Sequence, residues 1–114
     1  MDRIVEQLER ETELLRALAH PTRLALLETL SQDEECVCHL SYLLSRPQPY
    51  VSKQLAELRE AGLVVDRRDG MRIFYRLADP RVSALLEDVR ALSGRKPLSP
   101  GRRNLAGCPC PRCG

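Results

Sequence analysis

The spacing of apolar residues constrains this chain most, because it follows a helical period along most of the length and then changes to a period of two. Near the N-terminus, apolar residues recur at helical intervals: Ile4, Leu8, Leu15 and Leu18. Pro21 ends this repeat, since the residue before a proline avoids the α region. The spacing predicts one amphipathic helix over residues 2–19.

Further helical repeats follow, separated by polar or proline-rich breaks. Pro21 suits the first position of a second helix, which carries leucines at intervals of three. A third short helix is predicted over 37–45 and a fourth over 48–61, where Gly62 is a suitable C-cap. A last helix is predicted from about Pro80 to Leu92.

The change of period after Gly62 predicts a β-hairpin. Asp69-Gly70 is a strong signal for a two-residue turn, and the return strand alternates over 72–77. With that turn Arg67 faces Arg72, and like charges opposite each other are destabilising unless a phosphate lies between them. The hairpin is therefore predicted to contact DNA; the alternative is a solvated edge whose charges block aggregation.

Two short helices around a tight turn, followed by a basic hairpin, are typical of a winged helix-turn-helix. The predicted fold class is mainly α (α+β), with one hairpin wing. Residues 1–92 are assigned to a single DNA-binding and dimerisation domain. Residues 93–114 are rich in Gly, Pro, Arg and Ser and are predicted to form a flexible tail that carries cysteines.

Charge is segregated along the chain although the net charge is only +2. Residues 1–35 hold four arginines against nine acidic residues, whereas 46–76 hold seven basic residues against four acidic ones. This asymmetry predicts that the second half faces a polyanion. Polar side chains at the start of helix 48–61 suit base edges, and basic ones on the hairpin suit phosphates. The predicted DNA contacts are Gln48, Tyr50, Ser52, Lys53, Gln54, Arg67, Arg68 and Arg72.

All five cysteines lie in two groups, Cys36-Val37-Cys38 and a C-terminal cluster of Cys108, Cys110 and Cys113. An odd number of closely spaced thiols is a poor disulfide framework and a good set of soft-metal ligands. On a regular helix residues i and i+2 project about 200° apart, so the central pair can share an ion only if Cys36 sits at or before the first turn. A helix N-terminus would also favour the thiolate.

Four stretches resemble the ArsR/SmtB family of metal-responsive repressors: ALAHPTRLALLETL (17–30), ECVCHL (35–40), QPYVSKQLAELREAGLV (48–64) and DGMRIFYRL (69–77). The resemblance implies a homodimeric repressor that binds a palindromic operator in double-stranded DNA and dissociates when an inducer binds. It also implies that the first and last helices form the dimer interface. The residues expected there are Ile4, Leu8, Leu15, Val82, Leu85, Leu86 and Val89.

The resemblance also narrows the inducer. The family's zinc and cobalt site needs histidines on the last helix, and 80–92 contains none. What is left resembles the thiolate site of arsenite, antimonite and cadmium or lead sensors. Ser41 stands where the arsenic pattern has its third cysteine, so the third sulfur is expected from the tail, which either completes the central site or binds an ion by itself. As(III) or Sb(III) is the expected inducer, with Cd(II) or Pb(II) as alternatives.

Other interpretations stay open at this point. Cys38 can be a small core residue, or the thiols can form a redox or persulfide switch. His39 is expected at the surface and His20 in a structural role. An enzyme is not predicted, because the chain has no phosphate-binding glycine loop and no oriented nucleophile. The acidic, amphipathic N-terminus is unlike a signal peptide, and a cytoplasmic protein is expected.

Overall fold

The structure is a computed structural model that describes residues 2–96. Helices surround a small antiparallel sheet with strand order β1-β3-β2. In chain order the elements are α1 (Asp2–Gln7), α2 (Glu9–Leu18), α3 (Pro21–Leu30), β1 (Glu35–Cys36), α4 (Val37–Leu44), α5 (Gln48–Glu60), β2 (Val64–Asp69), β3 (Arg72–Leu77) and α6 (Pro80–Leu92). The winged helix-turn-helix expected from the sequence is confirmed.

The N-terminal segment is two helices where one was predicted. The break lies at Leu8, whose backbone leaves the helical region at φ −94° and ψ 5°. The Thr12 hydroxyl donates a hydrogen bond of 2.8 Å to the Leu8 carbonyl oxygen. Back-bonding of this kind bends helices, and a count of apolar intervals does not detect it.

Capping residues set the start of two later helices. The His20 Nδ1 accepts a hydrogen bond of 3.1 Å from the Thr22 backbone N–H, which caps α3 and confirms a structural role for His20. The Asp79 carboxylate caps α6 by accepting from the Arg81 backbone N–H at 2.8 Å. Both helices carry proline in their first turn, where a missing N–H costs nothing.

The turn of the hairpin lies one residue later than predicted, which shifts the cross-strand pairing by two residues. The turn is Gly70-Met71, so Asp69 pairs with Arg72 and Arg67 pairs with Phe74. Gly70 has φ +63°, a left-handed conformation that the first turn position of a type II′ hairpin requires. The expected repulsion between Arg67 and Arg72 was therefore wrong, because an acid and a base now face each other at the end of the ladder.

Strand β1 was missing from the sequence prediction. Its two residues pair with β3, Glu35 with Tyr75 and Cys36 with Phe74. Two residues carry no detectable period, and only contact with β3 makes them a strand. This pairing adds the segment that carries Cys36 to the sheet that forms the wing.

The core lies between α3, α4, α5, α6 and the sheet. Its fully buried side chains are Leu26, Leu27, Leu40, Val51, Leu55, Leu58 and Val64. The end of α5 is closed by a Schellman motif, in which Leu63 N–H bonds the Leu58 carbonyl and Gly62 N–H bonds that of Arg59, both at 3.0 Å. Gly62 has φ +79°, which explains why glycine follows this helix. Within residues 2–96 no helix has both the length and the apolar character needed to span a bilayer.

Two residues expected at the dimer interface belong to the core instead. Val82 and Leu86 are buried within the protomer, and Leu85 packs against the same cluster. The side chains of Ile4, Leu8, Leu15 and Val89 are exposed as expected. Two further apolar residues, Val5 and Leu92, are also exposed on the first and last helices. The apolar period of α6 marks its inward face, so it could not reveal the outward one.

The cap of α6 predicts an acid dependence of stability. Hydrogen bonds from the Arg81 side chain and backbone lower the pKa of Asp79 from 3.8 to about 2. A carboxylate with a lowered pKa stabilises the fold above its unfolded pKa and loses that contribution as pH falls from about 4 to about 2. Asp79→Asn keeps a capping oxygen without the titration. In urea unfolding at low salt, wild type should lose more stability than Asp79→Asn over this range; parallel pH curves would contradict the prediction.

Candidate DNA interface and thiol site

The helix-turn-helix is formed by α4 and α5, joined by a turn at Ser45. Ser45 has φ 51°, and the Arg46 N–H bonds the Ser41 carbonyl at 3.2 Å. The Ser41 hydroxyl donates a hydrogen bond of 2.5 Å to the Arg46 carbonyl. Ser41, the residue at the expected third-thiolate position, therefore fixes the turn before α5. As the second helix of the helix-turn-helix, α5 is the recognition helix.

The start of α5 presents part of the predicted reading face. Gln48 and Lys53 are exposed, and Ser52 is half-buried. Tyr50 is also half-buried, and its hydroxyl shares a hydrogen bond of 3.1 Å with the Thr22 hydroxyl of α3. The first two turns thus offer polar groups to a groove, while Tyr50 ties the helix to the body of the protein.

Gln54 does not lie on that face. Its side chain is only 6% exposed, and its Oε1 accepts a hydrogen bond of 2.8 Å from the Arg23 Nε. Arg23 also donates to the Ala17 carbonyl at 3.4 Å. Assigning Gln54 to the DNA contacts was wrong for this geometry. Its spacing from Val51 and Leu58 is that of the inward face, a signal overlooked because the residue is polar.

On the wing, Arg67 is held by the segment before β1. Its guanidinium donates to both carboxylate oxygens of Glu34 at 2.6–3.0 Å and lies 4.6 Å from the centre of the Phe74 ring. The Glu34 hydrogen bond raises the pKa of Arg67. Arg68 is exposed beside it, and Arg72 is half-buried. Arg68 is therefore better placed than Arg67 to contact phosphate without breaking an ion pair.

The two central cysteines meet at the N-terminus of α4. Cys36 is the N-cap residue, in an extended conformation with φ −82° and ψ 157°, and Cys38 lies in the first turn. Their Sγ atoms are 3.0 Å apart; Cys36 is buried and Cys38 half-buried. The prediction that Cys36 precedes the first turn is confirmed, because the extended residue breaks the 200° divergence of a regular helix.

A pocket of about 210 Å³ joins these thiols to the candidate DNA interface. Its walls come from three parts of the chain: the start of α4, the start of α5 and the tip of the wing. The lining residues are Cys36, Val37, Cys38, Gln48, Ser52, Met71, Arg72 and Ile73. The thiols thus open toward the same space that three of the predicted DNA contacts border: Gln48, Ser52 and Arg72.

His39 lies inside the protein and not at the surface as expected. It is 2% exposed, and its Nδ1 pairs with the buried Glu35 carboxylate. Its Nε2 is buried without a hydrogen-bond partner among residues 2–96. The pair bridges β1 and α4, and its position four residues after Glu35 was the available signal.

The remaining candidate ligands, Cys108, Cys110 and Cys113, lie outside the described residues, as does most of the predicted tail. Within residues 2–96 no group of three or more His, Cys, Asp or Glu side chains is arranged to hold a metal ion. The described cysteines therefore bring two thiol sulfurs together, and residues 2–96 contain no third cysteine.

Comparison with known proteins identifies the family of this chain. The family profile described as "Bacterial regulatory protein, arsR family" matches residues 20–65, the α3 to β2 region. The Biofilm growth-associated repressor of Agrobacterium fabrum is 48% identical over 79 residues, covering 69% of this chain and 68% of that protein. This chain belongs to the arsR family of bacterial regulatory proteins. The expected family is confirmed, and with it a regulator of transcription in place of an enzyme.

A second relative and one solved structure are also similar to this chain. The Arsenic resistance transcriptional regulator ArsR1 of Pseudomonas putida is 37% identical over 97 residues, covering 82% of this chain and 75% of that protein. A homodimeric winged helix-turn-helix DNA-binding domain from Mycobacterium bovis superposes with a TM-score of 0.74 and 31% identity. That match covers 82% of this chain and 87% of the other.

The contact between Gln54 and Arg23 predicts a structural role. Gln54→Ala leaves the Arg23 guanidinium without its acceptor, so the free energy of unfolding should fall by about 1–3 kcal/mol in urea denaturation. The preferred operator bases should not change, as measured by selection from a randomised DNA pool. Gln48→Ala is the matched control, because this exposed residue should alter base preference and leave stability unchanged. A changed base preference in Gln54→Ala would show instead that Gln54 contacts the DNA bases.

The geometry of the wing predicts that Arg68 contributes more than Arg67 to the salt dependence of operator binding. Arg68→Ala should reduce the salt dependence of operator binding by up to about one unit of slope, as expected for one lost phosphate contact. Arg67→Ala should change the slope less, because its charge is already paired with Glu34. Arg10→Ala, the same charge change in the acidic N-terminal part, serves as control. Equal slopes for Arg68→Ala and wild type would place the wing away from the phosphates.

Proposed function

We propose that this chain is a cytoplasmic, homodimeric transcriptional repressor that leaves a palindromic operator when a trivalent arsenic or antimony species binds its thiolates. The observation that carries the proposal is the pair of Cys36 and Cys38 sulfurs, 3.0 Å apart in a pocket bordered by the recognition helix. Two converging thiols are a site for a soft ion, and their position relates that site to DNA binding.

The DNA-binding part rests on the exposed start of α5 and on the wing. Gln48 and Lys53 can enter a major groove while Arg68 meets the backbone. A homodimer related by a two-fold axis would contact two half-sites about one helical turn apart. The exposed apolar residues of α1, α2 and α6 are the surface that such a dimer would cover. The neighbour from Mycobacterium bovis is homodimeric.

The choice of trivalent arsenic or antimony as the inducer rests on the number of sulfurs that can bind it. Trivalent arsenic prefers three thiolates, and the described part of the chain brings two together. The Ser41 hydroxyl is a hard donor already bonded to the Arg46 carbonyl, so it is not the third ligand. We assign that ligand to Cys108, Cys110 or Cys113, from the same or the partner subunit. The arsenic-resistance relative is consistent with this choice of inducer.

The route from inducer to DNA follows from the double role of Cys36. This residue caps α4 and also pairs with Phe74 in the wing sheet. An ion that draws the two sulfurs into its coordination shell would shift β1 and the first turn of α4 together. The shift would reach α5 through the turn at Ser45 and the wing through the Glu34 ion pair with Arg67.

A second candidate function uses the same thiols as a redox switch. The 3.0 Å between the sulfurs favours it, since little movement is needed to form a bond. Hydrogen peroxide would oxidise the pair: both thiols lose their protons, a disulfide forms, and the hydrogen peroxide is reduced to two waters. If Cd(II) or Pb(II) is the inducer in place of trivalent arsenic, the thiolate site would include a fourth sulfur, also from the tail.

Operator release distinguishes these alternatives. In a reducing buffer, arsenite should release wild type from a labelled operator, whereas the Cys36→Ser, Cys38→Ser double variant should bind DNA normally and ignore arsenite. Replacing Cys108, Cys110 and Cys113 by serine should weaken the arsenite response about tenfold or more, because a ligand is lost. Release only by peroxide would support the redox switch, and a full response without the tail thiols would refute the shared site.

A further inference from the structure

Met71 is a soft-ligand side chain at the mouth of the thiol pocket that no part of the proposed function uses. It is the second residue of the two-residue turn at the wing tip and lines the pocket together with Cys36 and Cys38. The pocket therefore joins three sulfur-bearing residues, of which two were recognised as candidate ligands from their spacing and one was not.

Packing does not account for a methionine at this position. The Met71 side chain is 99% exposed, whereas Phe74 and Tyr75 of the following strand are buried. The turn requires a positive φ at Gly70 but makes no demand on the side chain that follows. A long thioether with three rotatable bonds can reach over the pocket from the tip or withdraw into solvent.

We propose that Cys36, Cys38 and Met71 form a binding site for a soft monovalent cation of the Cu(I) class. This inference concerns a second class of ligand for the same thiols and does not depend on the arsenic response. Thiolate and thioether sulfurs together select Cu(I), whereas trivalent arsenic prefers thiolates throughout. The set of donors differs from the all-thiolate set with the tail cysteines, so the two ligands can be separated by mutation.

The charges in the pocket fit this cation. Each cysteine thiol loses its proton on binding, and two thiolates with one monovalent cation leave a net charge of −1. Arg72 lines the same pocket and offsets that charge at close range. Arg72 is paired with Asp69 at the end of the ladder, directly beside the turn that carries Met71.

Binding through Met71 would act directly on the DNA interface. The pocket separates the start of α5, represented by Gln48 and Ser52, from the wing tip. A cation held by Cys36, Cys38 and Met71 would tie the wing tip to the start of α4 and fix its position relative to the start of α5. Cu(I) would therefore lower operator affinity through the wing, a route that needs no tail residue.

The test uses the full-length chain with Cys108, Cys110 and Cys113 replaced by serine, so that the tail contributes no thiol. Cu(I) affinity is measured anaerobically by competition with a chromogenic Cu(I) chelator for Met71, Met71→Leu and Met71→Cys versions. Leucine keeps the apolar bulk and removes only the sulfur. The leucine version should bind Cu(I) at least about tenfold more weakly, since even supporting residues cost that much in metal affinity. The cysteine version should bind at least as tightly as methionine.

The outcomes separate this site from the proposed function. Equal Cu(I) affinity of the methionine and leucine versions would overturn the site; this is also the result expected if Met71 only contacts DNA as an apolar residue. Failure of Met71→Cys to bind Cu(I) would overturn it too, because the tip would not reach the thiols. If arsenite does not release wild type from the operator while Met71→Leu loses Cu(I) affinity, the arsenic inducer is refuted and the Met71 site is supported.

Discussion

The pairing of β1 with β3 is the interaction on which the rest of the molecule depends. It places Cys36, Phe74 and Arg67 in one row across three strands, with Cys36 at one end and the wing arginine at the other. The carboxylate of Glu34, the residue before β1, binds Arg67 of β2 and so adds a second link between the two ends of this row. A strand of two residues thereby connects a thiol, the cap of a helix and the DNA-facing hairpin.

This arrangement explains why one pocket is lined by both thiols and by the start of α5. The thiols are near the recognition helix because Cys36 ends a strand of the wing sheet and begins α4 at the same residue. The recognition helix is in turn fixed from behind, where Arg23 bonds Gln54 and Thr22 bonds Tyr50. In the proposed function, an inducer that moves α4 would therefore act on α5 from one side while these two hydrogen bonds hold its other side.

Much of the fold follows from local patterns, and several of the failures share one cause. Helices α3, α5 and α6 begin where proline and capping side chains indicate, and α5 ends at a glycine with positive φ. The prediction failed where a residue's environment comes from a distant segment. Gln54 is buried because Arg23 is there to bond it, and Val82 and Leu86 face the core because α6 lies against α3.

By itself, the sequence determined the order of helices and hairpin, the grouping of the thiols and the need for Cys36 to precede the first turn of α4, because each depends on neighbours along the chain. Only the tertiary structure decided that Glu35 and Cys36 form a strand, that the turn is Gly70-Met71, and that both thiols share a pocket with the wing tip. The strand and the shared pocket depend on pairing and packing between segments more than 30 residues apart, and the turn depends on how β2 and β3 pair side by side. The local period of the sequence carries no signal for either.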